Sequence, residues 1–173
     1  NPATTIVDGF SGATPLALAY EGGWDKVTGV FSESQLLWGM VPGSIGETSK
    51  VFIVFGALFL IITKVASWRI MAGMVVGLIG TTLLLNAIGS TPFMQVTWYQ
   101  HMLMGSFLFA MAFMATDPVT AASTEKGKWI YGILIGSIGL IIRVMNPAYP
   151  EGWMLAILLM NTFAPTIDYF ILE

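Results

Sequence analysis

The run Phe10-Ser11-Gly12-Ala13-Thr14-Pro15 sets a hydroxyl among small residues and locks the backbone after it with a proline. Proline is favoured at the first position of a helix, and threonine directly before it is a good N-cap. The pattern predicts a short helix from Pro15 to about Tyr20 with Thr14 at its mouth. Unpaired N–H groups at a helix start attract anions, and Gly12 and Ala13 leave room beside the backbone. A hydroxyl in this place can cap the helix, or it can carry an esterified phosphate that the helix end stabilises. The residues alone leave both readings open.

Three carboxylates are the other chemically interesting groups. Asp117 stands in "ATDPVTA", Asp168 in "APTIDYF", and Glu47 in "GSIGETS". Each lies in or next to a strongly apolar stretch, where an unpaired charge costs several kcal/mol. All three are therefore candidates for an ion path. Each also has a plainer reading: Asp117 can open a proline turn, Asp168 can sit in interfacial water, and Glu47 can favour a helix N-terminal dipole. The single histidine, His101, excludes a bis-histidine haem within the chain, and the absence of cysteine excludes disulfides and thiolate-held metal clusters. No nucleophile–base pair or carboxylate dyad for hydrolysis is present, and the sequence predicts no metal site.

The elements that must position these residues are membrane helices. Of 173 residues, 55% are hydrophobic and only 10% charged, against about 25% charged in soluble domains. Mean hydropathy is +0.77. The net charge of −3 and the lack of any basic run argue against a nucleic-acid partner. Five stretches are apolar enough to be read as spans of about 30 Å of hydrocarbon: about 48–63, 70–89, 96–116, 128–145 and 152–172. The expected fold class is an all-α, multi-pass membrane protein embedded in lipid. Lys50 and Lys64 flank the first span and are expected to snorkel to the interfaces.

Loop charge orients the spans. Lys64 and Arg69, and Lys126 and Lys128, place residues 64–69 and 117–128 on the cytoplasmic side; residues 90–95 and 146–151 then face outward. Lys50 and Arg143 fall on the outer side against that rule. Gly73-x-x-x-Gly77 and Gly132-x-x-x-Gly136 predict close helix packing. Five spans suit half of an inverted repeat, and the chain reads as the C-terminal part of a longer membrane protein. Before the first span, Ser34 to Val41 predicts a half-length helix broken by Pro42-Gly43-Ser44-Ile45-Gly46. Residues 33–47 are therefore expected either to re-enter the membrane around a cavity or to form an ordinary loop. The division expected is an attachment segment, 1–32, and a membrane domain, 33–173.

Several of these blocks carry a resemblance. Asp8-Gly-Phe-Ser-Gly-Ala-Thr14 resembles the D-x-x-S/T-G-A-T motif to which a flavin transferase links FMN through a phosphoester on threonine. "GSIGETS" (Gly43 to Ser49), "ATDPVTA" (Ala115 to Ala121), "YPEGWMLAILLMN" (Tyr149 to Asn161) and "PTIDYF" (Pro165 to Phe170) are similar to blocks of the NqrB/RnfD family, in order along nearly the whole chain. The resemblance implies that Thr14 bears FMN and that Asp8, Ser11, Gly12 and Ala13 form the motif read by the transferase. It implies a ten-span fold related to urea and ammonium transporters, of which this chain would hold the last five. It also implies membership of a bacterial inner-membrane NADH:quinone oxidoreductase that couples electron transfer to Na+ export, with a non-covalent riboflavin, quinone as substrate and sister subunits as partners. An ion-translocating ferredoxin:NAD oxidoreductase of the RnfD type and a passive channel of the urea-transporter kind are the alternatives.

Overall fold

Glycine at every fourth position leaves a helix with a shallow groove on one face, and two such helices can bring their backbones together. In the computed structural model, which describes residues 14–44, 48–146 and 151–173, the two GxxxG helices do this to each other. They are α4 (Trp68–Ile88) and α7 (Glu125–Met145). A methyl group on Gly73 would lie 3.0 Å from the carbonyl oxygen of Trp129, and one on Gly132 would lie 3.1 Å from the Cα of Gly73. Gly77 and Gly136 abut the backbones of Ile133 and Met74 as closely. The pairs advance together along both chains, so the helices run parallel. Helix α8 (Trp153–Leu172) returns antiparallel to α7. Its Trp153 ring covers Gly139, and Tyr131 donates to Asn161 Oδ1 across the same interface.

Helices α4, α7 and α8 are long and apolar enough to cross a membrane. Their bounds lie within three residues of the expected spans 70–89, 128–145 and 152–172. No strand occurs among the described residues. The other two expected spans differ. The first becomes α3 (Lys50–Ile62), whose 13 residues reach only about 20 Å at 1.5 Å per residue.

The stretch 96–116 is not one helix. It comprises α5 (Trp98–Leu103), a break at Met104-Gly105-Ser106, and α6 (Phe107–Phe109), which runs into a π-turn over Ala110–Met114. Gly105 has φ +64, a left-handed conformation that most side chains avoid. A Cβ there would also lie 2.9 Å from Arg143 Nη2 and from both Glu151 carboxylate oxygens. The apolar run thus reads as a span by composition, while its middle is shaped by charged groups from elsewhere in the chain.

Ahead of these lie α1 (Pro15–Thr28) and α2 (Glu33–Trp38). The expected helix after Thr14 forms and kinks at Gly22-Gly23; Gly23 (φ +70) passes close to the Pro92 carbonyl, and the helix resumes to Thr28. Tyr20 meets Phe93 edge to face at 5.9 Å, which seats α1 on the 3-10 turn Pro92–Gln95. The expected half-helix of 34–41 is shorter. Ser32 and Gln35 form a reciprocal capping box at its start, and left-handed Gly39 stops it after Trp38.

The α4–α7 contact generates a paired prediction. Gly136→Leu should destabilise the full-length protein by at least about 2 kcal/mol, because the side chain meets backbone that cannot yield. Gly80→Ala, which has open space around it, should be neutral or stabilising by up to about 1 kcal/mol. Thermal unfolding in detergent reads both; similar losses at the two positions would refute the parallel glycine contact.

Candidate functional site

Thr14 has extended backbone angles (φ −71°, ψ 155°), and its Oγ1 accepts a hydrogen bond from Ala17 N at 3.2 Å. It is therefore the N-cap of α1, with its side chain exposed. The same residue lines a cleft of about 30 Å3 together with Pro42, Gly43, Lys50, Gly105 and Glu151. Five separated stretches of sequence meet there: the start of α1, the irregular backbone after α2, the start of α3, the break in the third apolar run, and Glu151 just before α8. Asp8, Ser11, Gly12, Ala13 and Glu47 lie outside the described residues.

The cleft is held by charge. Lys50 is only 4% exposed and donates from Nζ to the Gly105 carbonyl at 2.8 Å. It does not snorkel, because its ammonium group is drawn inward to a carbonyl that the break leaves outside any helix. Arg143, in the last turn of α7, is fully buried. Its Nη1 donates to the carbonyls of His101 (2.9 Å) and Met104 (3.3 Å), its Nη2 lies 3.7 Å from Glu151 Oε2, and its guanidinium sits 5.0 Å from the Trp153 ring centroid. Glu151 in turn accepts from Ser106 N at 3.0 Å and from the Ser106 hydroxyl. Carbonyls freed by the broken helix thus become the ligands of two cations, which satisfies both sides of the balance.

Sequence reasoning missed these residues as parts of a site, although a signal existed. Lys50 and Arg143 are the two cations on the wrong side for the positive-inside rule, and Gly105-Ser106 sits in the middle of an apolar run. His101 is buried with its ring centroid 5.4 Å from that of Phe93.

The carboxylates Asp117 and Asp168 gather at the opposite end of the helices. Asp117 accepts from Thr120 Oγ1 at 2.8 Å and from Val119 N at 3.4 Å, closing the turn after the π-segment. The Thr120 hydroxyl, then the backbone, holds the Asp117 carboxyl below the usual aspartate range. Asp168 accepts from the backbone N–H and hydroxyl of both Ser123 (2.7 and 2.8 Å) and Thr124 (3.0 and 2.5 Å), so it fixes the start of α7. Beside them, a cavity of about 590 Å3 is lined by Lys64, Arg69, Asp117, Ser123 and Lys128, among others. Residues 64–69 and 117–128 therefore share one end of the bundle, as the loop charges require, while Thr14 and Glu151 lie at the other. An edge-to-face pair of Trp68 and Trp129 (5.8 Å) and the Arg69–Glu125–Lys128 ion pairs rim the first end.

Residues 2–173 match the model of the NQR2, RnfD, RnfE family. Over 176 aligned residues, the chain is 52% identical to a Na(+)-translocating NADH-quinone reductase subunit of Ectopseudomonas mendocina (strain ymp). It is 49% identical to the same subunit of Klebsiella pneumoniae (strain 342) and 50% identical to that of Yersinia pestis. Each alignment covers 98% of this chain and 43% of the relative, so the chain spans less than half the length of the curated relatives it matches.

The ionic break gives a graded expectation. Arg143→Met should cost about 3 kcal/mol, since it leaves two buried carbonyls and a carboxylate without their cation. Glu151→Gln should cost about 1 kcal/mol, because that side chain is half exposed and an amide oxygen can still accept from Ser106. Unfolding midpoints of the two variants in detergent would contradict the network if the order were reversed.

Proposed function

The chain belongs to the NQR2, RnfD, RnfE family, and from that premise we propose that it is the flavin-bearing part of the NqrB-type subunit of a sodium-translocating NADH:quinone reductase. It would lie in the bacterial inner membrane among sister subunits and lipid, with quinone and Na+ as substrate and cargo and a non-covalent riboflavin as a further cofactor. The names of the relatives favour this over a ferredoxin-linked reductase or a passive channel. The ten-span architecture related to urea and ammonium transporters belongs to the same proposal.

The observation that carries it is the setting of Thr14. Its oxygen is exposed at the first turn of a helix and shares a cleft with the buried Lys50 ammonium group. An FMN phosphoester fits these residues: the ester oxygen keeps lone pairs for Ala17 N, and the helix start and Lys50 both offset phosphate charge. When bound, FMN supplies electron transfer. The chain's own residues supply position and field. Thr14 fixes one end of the cofactor, α1 orients it, and the Lys50–Gly105 bond holds the wall of the cleft. Asp8, Ser11, Gly12 and Ala13 would be the recognition motif of the attaching enzyme.

For the ion, we take Asp117, Glu47 and Asp168 as the acidic residues of the path. Asp117 faces the larger cavity among three cations. Asp168 is committed to Ser123 and Thr124, so its part is to hold the loop that carries Asp117.

Two outcomes are expected in the intact complex. Peptide mapping should find the mass of FMN less water on the peptide holding Thr14; Thr14→Val should abolish it and Thr14→Ser should keep it. Mass addition that survives in Thr14→Val would remove the attachment site. Asp117→Asn should raise the Na+ concentration for half-maximal turnover about tenfold, equivalent to about 1.4 kcal/mol; an unchanged sodium dependence would take Asp117 off the path.

A further inference from the structure

The end of the bundle opposite Thr14 gathers positive charge around a cavity. Its volume of about 590 Å3 is within the range of small-molecule sites, and its lining includes Lys64, Ser67, Arg69 and Lys128. Glu125 joins two of these cations: its carboxylate lies 2.6 Å from Arg69 Nη1 and 3.1 Å from Lys128 Nζ. One carboxylate between two cations fixes both and leaves a net positive charge. Lys64 adds to that charge and has no ion pair among the described residues. Asp117 is the one carboxylate in the lining, and both of its oxygens are engaged within its own turn, by Val119 N and the Thr120 hydroxyl. The cavity therefore offers positive charge that nothing in the chain neutralises.

Two further observations point to an anion. Helix α4 starts at this cavity without a side-chain cap, and Ser67, its N-cap residue, has an enclosed Oγ with no hydrogen-bond partner. A helix start, a spare hydroxyl and three cations together are a donor set that suits a phosphate group. Lys64 supplies the second observation. Among the described residues it is the one non-glycine with left-handed backbone, φ +60. It follows α3 where Val65 N and Ala66 N turn back to the Leu60 carbonyl, a place that glycine fills without strain. A lysine there keeps a charge at this spot at a conformational cost. The cavity is also amphipathic. Ile61 and Val65 line it, Val65 is exposed, and Trp68 lies at its edge with the Arg69 guanidinium 5.2 Å from the ring centroid. Tryptophan at a helix end marks the membrane–water interface. We propose that this cavity binds an anionic phospholipid of the cytoplasmic leaflet, with its phosphate among Lys64, Arg69 and Lys128 and its acyl chains leaving past Ile61 and Val65. Basic pockets between spanning helices on that side take such headgroups. A free phosphate would meet the same donors but leaves the apolar wall unused. The inference is independent of the reading of Thr14.

The test uses the full complex in phosphatidylcholine nanodiscs that carry a little phosphatidylglycerol with a photoactivatable group beside its phosphate. Peptide mapping should place the label on residues 61–69 and 121–129, and excess unlabelled phosphatidylglycerol should remove most of it. Lys64→Gly should lower the label about fivefold, through loss of a charge-assisted contact. It should not lower the unfolding midpoint, because glycine adopts the left-handed backbone freely. That combination separates a lipid contact from a structural role for the lysine. Lys128→Gln should lower the label as well, while Lys26→Gln, on α1 and away from the cavity, should leave it unchanged. Equal labelling by a phosphatidylcholine probe, a label that survives in both Lys64→Gly and Lys128→Gln, or an equal loss in Lys26→Gln would overturn the site. Inorganic phosphate that competes as well as phosphatidylglycerol would overturn the lipid in favour of a soluble anion.

Discussion

A guanidinium group with no exposed surface closes the last turn of α7, and one end of the molecule is organised around it. A buried cation is tolerated only where dipoles and counter-charge replace water. Here the replacement comes from backbone. The third apolar run gives up its helix at Met104-Gly105-Ser106, and the carbonyls of His101 and Met104 turn to Arg143 while that of Gly105 accepts from Lys50. Glu151 joins from the start of α8 and ties Ser106 to the same group. The broken span and the buried cations are thus one feature: neither is stable without the other.

That arrangement has a consequence for topology. Helices α4 and α7 run parallel through their glycine faces, so the chain between them must cross back over the length of the bundle. The crossing is made by α5, the break, α6 and the π-turn. Irregular backbone at such depth is found where it is enclosed by protein or lines a cavity, and Gly105 lines the Thr14 cleft. The segment that could not be a regular helix is therefore the one that shapes the candidate cofactor site.

The two ends of the bundle differ in chemistry. One carries Lys64, Arg69 and Lys128 with Asp117 around a cavity of about 590 Å3. The other carries Lys50, Arg143 and Glu151 in fixed geometry. Fixed charge in a low dielectric suits setting the energy of a bound group.

Much of this was legible in residue order alone. Composition set the all-α membrane class, the glycine spacing gave α4 and α7 each a close-packing face, and Thr14-Pro15 set a capped helix start, because each depends on neighbours within a few residues; that the two glycine faces meet each other was decided by the tertiary structure. The motif blocks placed the chain in its family. Tertiary structure alone decided that 96–116 breaks, that α3 falls short of a span, and that Lys50 turns inward. Those outcomes depend on contacts such as Lys50–Gly105, Met104–Arg143 and Ser106–Glu151, which join residues 55, 39 and 45 apart in sequence; no local period encodes them, and an apolar run has the same composition whether or not distant charges interrupt it.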